Sequence, residues 1–355
     1  MRTIESIANH FIPRKHIKSI SECNIGHING TYFVDVESER YVLQRINKNV
    51  FKKPEQVMAN IIAVTDHIRK KQAQGADGCT LDFLKSGKNY FFCDEDGEYW
   101  RCYAFVEGEC HQFCESTDVM REAGRTFGAF QQLLADFDAS VLYETIPDFH
   151  NTEKRFETFE RAVADDRVGR AVEVAEEIEF VRSRKNICGI ITEGIKSGKF
   201  PLRVTHNDTK LNNVITDKET GKGICVLDLD TVMPGSLLFD FGDAIRFGAS
   251  SAAEDETDLT KVYFKTEMFE AFAEGFAEGI GAEISEYELE AFPDAAKILT
   301  FETGMRFLTD YLDGDRYFRV AHARHNLDRA RNQFCLVRDM EAKAEEIKEI
   351  VKKLK

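Results

Sequence analysis

The alternation of apolar and polar positions divides the chain into two textures. In the first hundred residues, Thr31–Val36 and Arg40–Ile46 read as short strands joined by a turn at Glu37–Glu39. Pro54 opens a helix through about Lys71, because a first helical turn leaves its N–H groups unpaired anyway and proline loses nothing there. Asn89–Cys93 and Tyr99–Val106 are two further strand-like runs, with Asp94–Gly97 as the hairpin turn between them. After Glu107-Gly108 the apolar spacing becomes helical. It recurs over Ser116–Phe137, as two stretches within Thr152–Arg184, and over Asp255–Gly279, Pro293–Leu312 and His322–Leu354. Pro201–Gly248 is the one island without helical spacing. The pattern predicts an α+β molecule of two lobes: a small β-rich N-lobe (residues 1–107), a connector near 103–108, and a larger, mainly helical C-lobe (108–355).

Composition narrows the partners. The formal net charge of −15 would repel a phosphate backbone, which argues against nucleic acid; a single nucleotide can still bind where a metal and backbone amides answer its charge. No apolar run reaches membrane-spanning length, so no membrane partner is expected. Met1–Ile20 lacks the apolar core of a signal peptide, so the expected location is the cytoplasm. The nine cysteines are scattered and none pair as CxxC. Cys110 and Cys114 with His111 come nearest to a zinc site but supply too few ligands, and reduced thiols are the better reading.

The chemistry lies in the island. In Thr205-His206-Asn207-Asp208-Thr209-Lys210-Leu211-Asn212-Asn213, Asp208 and Asn213 stand five apart, the spacing of the kinase catalytic loop. There a carboxylate takes the proton of an acceptor hydroxyl while an amide oxygen ligates magnesium beside it. Lys210 is placed to put positive charge on the transferring phosphoryl group. Fifteen residues past Asn213, the apolar run Val226-Leu227 ends in Asp228-Leu229-Asp230, and a hairpin with Val214–Thr216 would hold Asp228 rigidly as a magnesium ligand. Asp, Asn and Lys in loops are commonly turn formers, but the ordered set is too long for chance. His206, two before the base, is read as a hydrogen-bonded brace.

Asp240-Phe241-Gly242 spells the DFG of protein kinases but lies 32 residues beyond Asp208, against 20 for Asp228. The hairpin favours Asp228 as the ligand and leaves Asp240 and Asp243 to cap a helix and brace the catalytic loop. In the N-lobe, Ile25–Tyr32 is a turn whose Gly26 and Gly30 let amides approach phosphate, with Thr31 following and His27 as a substrate-facing candidate. Tyr103–Gly108, including Phe105 and Glu107, reads as the connector to which a purine bonds. Gln44 occupies the register where kinases carry a lysine, and an amide cannot neutralise a phosphate; in a regular strand Arg45 points to the other face.

Beyond these kinase parts, the sequence resembles the bacterial N-acetylhexosamine 1-kinases of the aminoglycoside-phosphotransferase-like, protein-kinase-like family. The likeness runs through nearly the whole chain. It is densest in Leu202–Asn213, Asp228–Ser250 and Gly304–Asp315. It implies the bilobal protein-kinase-like fold and ATP-dependent phosphorylation of the anomeric hydroxyl of N-acetylglucosamine or N-acetylgalactosamine with magnesium. By that likeness Asp208 is the base and Asp228 the metal ligand.

Residues 316–331 hold five arginines, two histidines and one aspartate in an acidic chain, a reversal suited to polar hydroxyls and unsuited to a polycationic acceptor. Arg306 and Tyr317 are the candidate sugar contacts, with Phe247 as an apolar wall and Asp230 as a hydroxyl acceptor. A choline, homoserine or aminoglycoside kinase would share every catalytic part. A cationic acceptor should bring an aromatic or acidic cage, yet the single tryptophan, Trp100, falls in the N-lobe. A non-catalytic nucleotide-binding protein is suggested by Gln44 alone.

Overall fold

The computed structural model describes residues 3–23, 28–111 and 113–355. A five-stranded antiparallel sheet forms from β1 (Ser19–Cys23), β2 (Gly30–Asp35), β3 (Arg40–Ile46), β4 (Phe92–Cys93) and β5 (Tyr99–Ala104), in the order β1-β2-β3-β5-β4. Alternation along β3 sorts its side chains. Tyr41 and Leu43 join Trp100, Val34 and the short helix α1 (Ile4–Ala8) in a small core on the outer face. Ile46 belongs instead to the main core, with Val57, Met58 and Ile61 of α2 (Pro54–Ala73). Arg45 lies over the Trp100 ring, 6.0 Å from its centroid. Gln44 therefore faces the opposite, inner side, as strand alternation requires.

The rest is mainly helical: α3 (Thr117–Leu133), α4 (Thr152–Asp165), α5 (Ala175–Arg182), α6 (Ile190–Lys196), α7 (Leu237–Gly248), α8 (Thr266–Ile280), α9 (Glu286–Glu290), α10 (Phe292–Leu312), α11 (His325–Ala342) and α12 (Ala344–Lys353). Helices α3 and α8 cross backbone to backbone. A Cβ on Gly124 would stand 2.3 Å from the Phe272 carbonyl oxygen, and one on Gly275 only 1.9 Å from that of Arg121. Only glycine permits this approach.

Two small ribbons connect the layers: β6 (Arg203–Thr205) with β9 (Met233–Gly235), and β7 (Val214–Thr216) with β8 (Gly223–Val226). The second is the hairpin expected before Asp228. The molecule is thus a mixed α+β protein with an antiparallel N-terminal sheet and a helical C-terminal region.

Several expectations need correction. Leu237–Gly248, expected within the loop island, is helix α7; all its residues but Phe247 are buried, including Asp240, Asp243 and Arg246, which recur at helical spacing. Residues 255–265 form a loop with one short turn at Leu259–Lys261, and helix begins only at Thr266. The strand expected over Asn89–Cys93 shrinks to Phe92–Cys93, and β1 and α1 were not anticipated.

Candidate active site

The segment His206–Thr209 is bent by Asn207, whose φ of 65° lies in the left-handed region that asparagine tolerates better than most residues. The bend turns four successive N–H groups inward, and each meets a side chain. Asp240 accepts those of His206 (2.9 Å) and Asn207 (2.7 Å), His206 Nδ1 accepts that of Asp208 (3.3 Å), and Asp243 accepts that of Thr209 (3.1 Å). His206 Nε2 in turn donates to the Leu227 carbonyl at 2.7 Å, which leaves Nδ1 as the acceptor. One imidazole thus ties Asp208 to the chain entering Asp228. His206 and Asp240 are the braces of this loop. The cap of α7, however, is Ser236, whose side chain accepts from the Leu238 N–H.

Asp208 is partly exposed, and Lys210 Nζ lies 2.7 Å from its Oδ1. Burial works against the Lys210 charge, but Asp208 and Asp243 outweigh it and hold its pKa above the ordinary 10.5. Asn213 Nδ2 donates to the Asp208 carbonyl at 2.8 Å and reaches Asp208 Oδ2 at 3.3 Å, so its oxygen is the side left for a cation. The Leu227 N–H donates to the Asn213 carbonyl at 2.8 Å and docks the hairpin onto the loop. Asp228 then takes a left-handed turn (φ 53°) that aims its side chain into the cleft, where it remains exposed.

Although the Asp228 side chain keeps contact with solvent, the surrounding protein desolvates it. This, then the like charges of Asp230 and Asp208, pushes Asp228 up to about 7, against Arg101 and Lys210. A carboxylate in that position gains from a cation. Among the described residues, no group of three His, Cys, Asp or Glu side chains is arranged to hold a metal. Asn213 and Asp228 nevertheless suit magnesium, a hard ion that binds one or two carboxylates and takes its other ligands from phosphates and water.

On the sheet's inner face, Thr31, Gln44 and Arg101 stand in register on β2, β3 and β5. Gln44 Nε2 donates to Thr31 Oγ1 at 3.2 Å, and Gln44 Oε1 accepts from Arg101 Nε and Nη2 at 2.9 and 2.7 Å. Arg101 Nη1 forms a buried ion pair with Asp230 Oδ1, while Asn29 Nδ2 donates to Asp230 Oδ2 at 2.5 Å.

Behind the loop, His150 Nε2 lies 3.4 Å from the Asn207 carbonyl, and its Nδ1 lies 3.1 Å from Glu302 on α10. One turn further along α10, the Arg306 guanidinium sits 5.6–6.0 Å from the ring centroids of Phe149, Tyr317 and Phe318. Burial, then the like charge of nearby Arg306, lowers the Arg155 pKa, against the opposing charges of Glu302 and Asp148. Among the described residues, neither arginine has a carboxylate within ion-pair distance.

The phosphotransferase enzyme family, the family of the aminoglycoside phosphotransferases, matches residues 19–281, about three-quarters of the chain and all of the loop and hairpin just described. This chain belongs to that phosphotransferase family. Solved structures of similar fold are remote in sequence. An aminoglycoside phosphotransferase from Alicyclobacillus acidocaldarius is 12% identical with a TM-score of 0.62, over 99% of this chain and 97% of that one. A microcompartment-associated aminopropanol kinase is 14% identical with a TM-score of 0.61, over 97% of each chain. The ADP-bound aminoglycoside phosphotransferase APH(2'')-Ib is 14% identical with a TM-score of 0.55, over 95% of this chain and 99% of that one.

Within this phosphotransferase the candidates read from sequence fall into three groups. Asp208, Lys210, Asn213 and Asp228 come together around the loop at residues 206–213. Gly30, Thr31 and Gln44 lie on β2 and β3, and Gly30 pairs with Arg45. Phe105 and Glu107 follow β5 in the connector; the Phe105 ring packs edge-on against Phe33 at 5.7 Å, and Glu107 is exposed. Gly26 and His27 lie outside the described residues. On the acceptor side, Arg306 and Tyr317 are neighbours, with Tyr317 72% exposed and its N–H held by Asp310 at 2.8 Å; Phe247 is half-buried in the last turn of α7.

Asp230 differs from its expected role. It is buried, and both carboxylate oxygens are engaged by Arg101 and Asn29, so it is a protein anchor rather than a free hydroxyl acceptor. Part of the 316–331 cluster is likewise structural: Arg331 pairs with Glu177 at 2.6 Å and Arg329 approaches Glu254 at 3.9 Å. Sequence reasoning missed Arg101, His150, Arg155 and Glu302. Arg101, His150 and Glu302 act through partners distant along the chain. Arg155 bonds the nearby Phe149 carbonyl but meets Arg306 only through the fold, and no local motif marks any of the four.

Proposed function

We propose that this phosphotransferase is an ATP-dependent kinase that phosphorylates the anomeric hydroxyl of an N-acetylhexosamine to give the sugar 1-phosphate. In this reading residues 1–107 and the connector (Phe105, Glu107) cradle the nucleotide, with Gly30, Thr31 and Gln44 toward its phosphates. The helical region holds the acceptor, and Gly26 and His27 keep the roles given them by sequence. Asp208 accepts the proton of the acceptor hydroxyl as its oxygen bonds to the γ-phosphorus and the bond to the ADP oxygen breaks. Lys210 carries the positive charge that the transferring phosphoryl group requires. Asn213 and Asp228 would hold magnesium, whose charge offsets that of the phosphates. The base needs no covalent intermediate, and positioning supplies most of the acceleration.

The observation that carries the acceptor class is the pair Arg155 and Arg306, neither balanced by an ion-paired carboxylate among the described residues, with Arg306 set among the rings of Phe149, Tyr317 and Phe318. Such a site donates hydrogen bonds to hydroxyl and carbonyl oxygens and repels an amine. That favours an uncharged sugar over the cationic acceptors of aminoglycoside or amino-alcohol kinases. The acetamido group and the anomeric position rest on the sequence resemblance.

A panel of hexoses, N-acetylhexosamines, aminoglycosides and amino alcohols, assayed for ATP-dependent phosphorylation, tests the reading. Phosphorus NMR should show a product coupled to one anomeric proton. Coupling to a methylene pair, or turnover with amino alcohols alone, would reject the sugar 1-kinase reading.

A further inference from the structure

A nucleotide site between these lobes lacks the expected lysine, since Gln44 fills its register. We infer that Arg101 supplies the missing N-lobe cation, delivered from β5 instead of β3 and held by Asp230 and Gln44; this rests on the nucleotide-binding reading above. Arg101 is the direct cross-strand partner of Gln44, so the two side chains leave the same face of the sheet. Two nitrogens of its fork, Nε and Nη2, meet the single oxygen Gln44 Oε1, which draws the guanidinium back over the β3 position. The bond from Gln44 Nε2 to Thr31 fixes the amide so that its oxygen faces the arginine.

Charge and hydrogen-bond counting point the same way. Of the five guanidinium N–H groups, two go to Gln44 and one to Asp230. One on each Nη has no acceptor among the described residues, so the guanidinium charge is not fully answered by the protein. Asp228 is among the charges that act on Arg101, so the guanidinium lies within electrostatic range of the proposed metal site. The group is nearly sealed from water, which strengthens its field across the cleft even where it makes no direct contact. Structure alone gives little reason for the pair, because a buried Arg–Asp pair is often no more stabilising than apolar residues of the same size.

The test is calorimetric titration with ADP and magnesium, alongside steady-state kinetics and melting curves. Wild type must bind ADP; if it does not, the nucleotide reading fails and this inference with it. The double variant Arg101→Met/Asp230→Asn leaves no unpaired buried charge and should stay folded. It should bind ADP roughly 10- to 100-fold more weakly, the worth of a charge-assisted hydrogen bond, with the acceptor KM little changed. Asp230→Asn alone keeps the cation and should lose only a small part of that affinity. Adding Gln44→Lys to the double variant should return most of the loss. Wild-type ADP affinity in the double variant would reduce Arg101 to a structural counterion. An equal loss in Asp230→Asn alone, or no recovery with Gln44→Lys, would assign the effect to the Asp230 anchor and overturn the inference.

Discussion

The Asp240 carboxylate accepts the backbone N–H of His206 at 2.9 Å, and its other oxygen accepts that of Asn207 at 2.7 Å. An aspartate that spells DFG with its neighbours is therefore spent on the backbone of the His206–Thr209 loop, while Asp228 stays exposed. The two should respond in opposite ways to substitution. Asp240→Ala strands two buried backbone N–H groups and one N–H of the Gln131 amide, whose other keeps the Val204 carbonyl, at a cost of about 2–4 kcal/mol, and should lower the melting temperature clearly. Asp228→Asn removes a repelled charge and should leave the melting temperature unchanged or higher, yet abolish magnesium-dependent nucleotide binding. Calorimetry on both variants decides the assignment.

The crossing of α3 and α8 gives a test independent of function. On an exposed helix surface, Gly→Ala gains up to ~1 kcal/mol through helix propensity. Gly275→Ala instead drives a methyl onto the Arg121 carbonyl oxygen, and overpacking of this kind costs about 1–3 kcal/mol. Denaturant unfolding should therefore show a loss, and a gain would mean that the helices lie further apart.

Glu302 links stability to pH. Burial alone would raise its pKa, but the bond to His150, the Arg306 charge and the Thr152 hydroxyl prevail and hold it below the ordinary 4.5. A carboxyl whose folded pKa is depressed stabilises the fold above its ordinary pKa, and the contribution is lost as pH falls through the folded value. The melting-temperature gap between wild type and Glu302→Gln should be constant near neutrality and shrink below about pH 4.5. A gap that does not shrink below about pH 4.5 would contradict a Glu302 carboxylate stabilised by its neighbours.

The acceptor side should separate from the nucleotide side in kinetics. Arg306→Ala and Arg155→Ala should each raise the acceptor KM roughly tenfold or more, the worth of a charge-assisted hydrogen bond, with the ATP KM nearly constant. Tyr317→Ala should act the same way but more weakly, since its ring is mostly exposed. A parallel rise in the ATP KM would place the arginines on the nucleotide instead.

What the sequence disclosed follows from distance along the chain. Asp208, Asn213 and Asp228 lie within 21 residues, in one loop and one hairpin, so spacing alone brings them together. Gln44 and Arg101 are 57 positions apart, and their meeting depends on the register of β3 against β5, which no local pattern fixes. His150 and Glu302 are 152 apart and meet only once α10 is packed. Helix α7 was legible in principle, since Asp240, Asp243 and Arg246 recur at helical spacing, but that stripe turns inward to the loop at His206–Thr209 and not to water. Asp230 was misjudged because its partner Arg101 was unseen.

The most direct measurement is the turnover of Asp208→Asn with ATP, magnesium and N-acetylglucosamine or N-acetylgalactosamine, beside titration of the same protein with ADP. As the base of phosphoryl transfer, Asp208 should account for roughly 10²- to 10⁴-fold in kcat, while ADP affinity stays close to wild type. Near-normal turnover in a folded Asp208→Asn variant would contradict the central assignment and leave this cleft without its base.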